Sequence, residues 1–243
     1  MAQKKPESKS WALLALPIAL LALVLGGALE PSLAHGIGGK DAAFVAATKE
    51  ADILPFMYLG AKHMFTGYDH LLFLLGVIFF LYRMRDIAIY VTLFSIGHSI
   101  TLLSGVLMEI NVSAYIVDAI IGLSVVYKAF DNLNGFKTLF GVQPNNKLAV
   151  AGFGLIHGFG LATKLQALNL NENGLVTNMI GFNIGVELGQ IFALSLILVA
   201  MVLWRKTSSF NRLAAATNVL IMIAGFMLME YQLAGYFLGL PVI

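Results

Sequence analysis

Six apolar runs, at about 57–82, 86–107, 112–131, 147–168, 176–204 and 212–236, constrain this chain more than any other feature. Each has the roughly 20 residues that one membrane-crossing helix needs. They predict an all-α fold: a polytopic membrane helix bundle of about six transmembrane helices. Only 12% of the residues are charged, about half the share usual in a soluble domain, so lipid is the solvent for most of the chain. Cysteine is absent, which excludes disulfides, thiolate metal sites and cysteine nucleophiles. No basic block suggests nucleic acid as a partner.

The N-terminus has the pattern of an export signal. Lys4, Lys5 and Lys9 precede an apolar stretch from Trp11 to Leu29, and Ser32-Leu33-Ala34 follows the small-x-small rule of signal peptidase. The expectation is a signal peptide over 1–34 and one helical domain over 35–243, with an uncleaved signal anchor as the competing reading. Cleavage after Ala34 would make His35 the first residue, offering an amine and an imidazole to one metal ion.

Basic residues in short loops set orientation. Arg83 and Arg85 lie in the first loop, Lys128, Lys137 and Lys147 around the third, and Arg205, Lys206 and Arg212 around the fifth. Glu109 and Glu172 lie in the second and fourth. Odd loops are therefore expected in the cytoplasm, and the topology N-out, C-out, in agreement with an exported N-terminus.

Ionisable groups at bilayer depth cost a few kcal/mol each on insertion scales, so their presence calls for a reason. The first run contains His63-Met64-Phe65-Thr66-Gly67-Tyr68-Asp69-His70. In a continuous helix, seven residues bring His63 and His70 to one face, with Gly67 between them leaving room for an ion. Asp69 is placed to orient an imidazole or to bind directly. His98 and His157 fall about midway along the second and fourth runs. Asn183, Glu187 and Gln190 share a face of the fifth, with Glu187 central. The candidate metal ligands are thus His63, Asp69, His70, His98, His157 and Glu187, with His35 and Asn183 secondary. Imidazole with carboxylate suits nickel, cobalt, zinc or copper(II) better than magnesium or calcium. The bland alternative is a structural polar network between glycine-rich helices. Asp118 and Glu230 are read as near the exoplasmic ends, and Lys164 as snorkelling outward. Gly152, Gly154, Gly158 and Gly160 are read as close-packing positions.

At these residues the chain resembles the HupE/UreJ family of small bacterial membrane proteins. That family's first-helix signature, His-Pro-x-x-Gly-x-Asp-His, stands here as His63 to His70 with Met64 in place of proline. Phe94-Ser95-Ile96-Gly97-His98-Ser99-Ile100-Thr101, the stretch Gly154 to Gly160, and Phe182 to Gln190 are similar to its second-, fourth- and fifth-helix segments. The resemblance implies permeation of nickel or cobalt, with His63, Asp69 and His70 as the metal-binding motif. The expectation is then a multi-pass permease of a bacterial inner membrane, not an enzyme. Its partners would be lipid, metal ion and a membrane protein or second copy. A non-transporting metal-binding or assembly subunit is the alternative. An intramembrane metalloenzyme ranks last, since HExxH and serine–histidine patterns are missing.

Overall fold

The computed structural model describes residues 39–167 and 172–239. The expected signal peptide and His35 lie outside them. Helices follow one another in the order α1 (Gly39–Ala47), α2 (Ile53–Thr66), α3 (Tyr68–Ile78), α4 (Met84–Leu107), α5 (Ala114–Asn132), α6 (Gly135–Phe140), α7 (Asn146–Gln166), α8 (Leu175–Arg205) and α9 (Ser208–Leu238). No strand occurs among the described residues.

Four of these, α4, α7, α8 and α9, are each long and apolar enough to cross a membrane. The chain is a multi-pass membrane protein. Two of the six apolar runs behave differently. The third forms α5, which carries Asp118, Lys128 and Asp131 in 19 residues. The first is not one helix: it stops at Thr66, passes through Gly67 with φ −74° and ψ 95°, and resumes at Tyr68. Glycine is about 1 kcal/mol poorer than alanine in a helix. Part of the backbone ladder persists across this break. Gly67 N–H still donates to His63 O at 2.9 Å, and Leu71 N–H donates to Gly67 O at 3.1 Å.

Three helix pairs make the frame: α2 on α8, α4 on α7, and α5 on α9. Lipid supplies no hydrophobic force between helices, so close van der Waals approach must hold them. On α8, Gly181, Gly185 and Gly189 are four apart and form one stripe. A Cβ on any of them would run into the α2 backbone, at Ile53, Met57 and Ala61 in turn. Gly154 and Gly158 of α7 do the same against the α4 backbone at Phe94 and His98. Gly152 departs from the close-packing expectation, because it faces open space.

Polar ties close both ends. Arg205 donates to the carbonyls of Ile78 and, at 2.8 Å, Phe79, satisfying the open C-terminus of α3. Asn132 Nδ2 donates to Gly76 O at 2.8 Å. Asp131 pairs with Lys128 and accepts from Gln143 and Asn146. These contacts collect the C-termini of α3, α5 and α8 with the N-terminus of α7. At the other end Gln166 Nε2 donates to Gly105 O at 2.5 Å, and Asp52 N–H donates to Asn178 Oδ1 at 2.6 Å. Lys164 does not snorkel outward. It pairs with Asp118 at 2.8 Å, both side chains at most 10% exposed, because α5 and α7 pack together and each charge cancels the other's desolvation.

Gly185→Leu is expected to destabilise the bundle by about 2 kcal/mol, the scale of an overpacked core. Gly152→Leu should stay within about 0.5 kcal/mol of wild type. Thermal unfolding of both variants in detergent checks the contrast.

Candidate metal site

The break at Gly67 shapes the site. It places His63 in the last turn of α2 and Asp69 and His70 in the first turn of α3. A helix N-terminus carries partial positive charge and open N–H groups, which favours a carboxylate there. His63 and His70 therefore meet across the break and not along one continuous helix. The two rings meet edge to face with centroids 5.3 Å apart. Gly67 remains the close neighbour: a Cβ there would stand 3.0 Å from His70 Nδ1 and 3.2 Å from Asp69 Oδ1.

Two more helices bring imidazoles to His70. The His157 ring of α7 lies 5.1 Å from it and the His98 ring of α4 lies 6.0 Å away, centroid to centroid. His70 Nδ1 is 3.1 Å from Asp69 Oδ2. One ligand atom each from Asp69, His70 and His157 falls within 4.8 Å of the other two, a spacing that one metal ion can span. His63 is 6% exposed and the other four groups at most 1%.

The second neighbours prepare these rings. His157 Nδ1 lies 2.7 Å from Phe153 O. That contact places the proton on Nδ1 and leaves Nε2 as a lone-pair donor. His157 Nε2 and both ring nitrogens of His98 are buried with no hydrogen-bond partner among the described residues. Buried polar atoms are ordinarily paired, so these nitrogens are available to a ligand. Phe94 and Phe73 stand 4.9 and 5.3 Å from His157, and Phe182 stands 6.2 Å from His63. Sequence reading passed over these aromatics. Their signal was spacing, with Phe73 one turn after His70 and Phe94 one turn before His98.

Layering explains why the site is buried. On α4, one apolar cluster takes Ile87 and Phe94 and a second takes Leu102 and Val106, with His98 between. On α7, Val150 joins the first cluster and Leu161 the second, with His157 between. The imidazoles form a polar layer held between two apolar ones.

Not every predicted residue joins that layer. Glu187 is exposed and accepts a hydrogen bond from Ser95 Oγ, in a groove between α4 and α8. Asn183 is buried and spends its amide N–H on Met179 O at 3.0 Å. Asn183, Glu187 and Gln190 thus do not act as one face: Asn183 turns inward, whereas Glu187 and the buried Gln190 both line that groove.

A buried imidazole–carboxylate cluster at a broken helix, inside a multi-pass helical bundle, defines a membrane protein whose Asp69, His70 and His157 could hold a metal ion. A family model described as HupE / UreJ protein matches residues 39–239. The chain belongs to the HupE/UreJ family. No curated protein and no solved structure matches it.

Gly67→Ala is expected to improve helix propensity yet weaken divalent metal binding, since the methyl presses on His70 and Asp69. Asp69→Asn should lower affinity by about 10- to 100-fold, the usual scale for a group that orients or binds a metal ligand. Competition against a chromophoric chelator measures both.

Proposed function

We propose that this protein is a permease for a divalent transition metal, nickel or cobalt, in a bacterial inner membrane. The observation that carries the reading is the convergence of Asp69, His70 and His157, with His63 and His98 beside them, in a buried layer. A purely structural network would pair its polar atoms, whereas His98 and His157 keep ring nitrogens open. Neutral imidazoles with one carboxylate favour nickel, cobalt, zinc or copper(II) over magnesium and calcium. Membership of the HupE/UreJ family favours nickel and cobalt among these.

The topology of the proposal has six crossings, with α2 and α3 together as one broken crossing and α5 as another. Broken helices at membrane depth are tolerated where they line a site, and they are common at transporter binding sites. Gly67 stands about 21 Å along the helix rise from Ile53 and about 16 Å from Ile78, hence near mid-bilayer. The N-terminus and C-terminus face outward, because Arg83, Lys128, Lys147 and Arg205 mark the opposite end as cytoplasmic. The ion moves inward from the outer side. Protons compete with metal for the same imidazole lone pairs, so uptake falls in acid. The protein carries out no covalent chemistry.

Metal content and ion uptake into proteoliposomes test this on one preparation. Wild type is expected to hold a transition metal and show saturable uptake, with both reduced about tenfold or more in His70→Ala. Equal uptake by the variant would sink the assignment of the site. Bound metal without flux would instead make the chain a non-transporting metal-binding or assembly subunit.

A further inference from the structure

Between α4 and α8 lies a groove of about 420 Å³. It follows α4 from Met84 to Ile96 and α8 from Leu198 back to Glu187, about 18 Å of helix rise on α4. Most of its wall is aliphatic. Its polar groups are Glu187, Gln190, Ser95, Thr92 and Ser195, and Glu187 is the one charged side chain among those lining it. Ser95 Oγ donates to Glu187 Oε1.

Gln190 is the unusual member. It is 1% exposed, lines the groove, and has neither Nε2 nor Oε1 paired among the described residues. A buried amide left unpaired is destabilising, so an occupant that pairs with it would be favoured. Glu187 lies midway along the apolar helix α8, where lipid would solvate its charge poorly and a cation beside it would offset that cost.

We propose that Glu187, Gln190 and Ser95 form a binding site for a monovalent alkali cation, sodium, separate from the histidine cluster. The donors are a carboxylate, an amide carbonyl and a hydroxyl, all hard oxygens, which suit a hard cation and not the softer metals that imidazole selects. One carboxylate neutralises one positive charge, so a monovalent ion leaves the groove neutral in lipid, whereas a divalent ion leaves it charged. An ion in the groove would give the Gln190 amide oxygen a partner. This site goes beyond the metal-permease reading and does not require it.

The test is thermal unfolding of the purified protein in sodium chloride against choline chloride at equal ionic strength, with no transition metal present. Sodium is expected to raise the midpoint saturably in wild type. Gln190→Ala should weaken the apparent sodium affinity about tenfold or more, the scale of losing one buried polar partner, and Glu187→Gln should abolish the response. Helical circular dichroism and a cooperative melt in choline chloride matching wild type show that both variants are folded, so the test stands whatever the histidine cluster binds. Equal midpoints in sodium and choline would overturn the proposal, as would a sodium response that survives Glu187→Gln. So would a response that tracks pH and ignores sodium, which would assign the groove to a proton.

Discussion

Hydrocarbon offers no hydrogen bonds, so a helix that stops at Gly67 must turn its open groups towards something polar. Most of the architecture follows from that one requirement. The break opens the N-terminus of α3, and Asp69 sits in its first turn, where the helix end stabilises negative charge. His70 beside it then becomes the centre of a ring of imidazoles from α2, α4 and α7. Its other end, at Ile78 and Phe79, is closed by Arg205. A short helix with a committed partner at each end is held in place without having to span the bilayer alone.

Glycine stripes make such a site feasible. Side chains as large as phenylalanine and histidine reach one another from four helices only if the backbones come close elsewhere. The α2–α8 and α4–α7 pairs do so at Gly185 and Gly158, where a methyl group would meet backbone. Apolar clusters above and below the imidazoles then exclude water. In that setting an ion is held by the protein or not at all, since displaced hydration is not replaced by solvent. The charged pairs of α5 belong to the same logic: Asp118 with Lys164 and Lys128 with Asp131 let a helix carry charges inside the bundle as neutral units.

Much of this was legible in the sequence, for definite reasons. Apolar runs located the long helices because length and hydropathy are local properties. The histidines and Asp69 stood out because ionisable groups are expensive in lipid. The break at Gly67 was not legible: no proline marks a stop inside the run, and the seven-residue spacing from His63 to His70 fits a continuous helix as well. Glu187 was misplaced towards the core because sequence depth does not fix helix rotation, and a small rotation carries it from the interior to the α4–α8 groove. Lys164 was read as a snorkelling cation because its partner, Asp118, lies 46 residues away and only the packing of α5 on α7 pairs them. The signal peptide and His35 lie outside the described residues.

The central claim is that residues from separate helices, gathered by the break, hold one ion. X-ray absorption at the metal edge, on nickel- or cobalt-loaded protein, reports those neighbours directly. The account predicts nitrogen and oxygen donors with imidazole scattering from at least two rings, reduced by one ring in His157→Ala. A spectrum matching the hydrated ion, or one unchanged in His157→Ala, would contradict it.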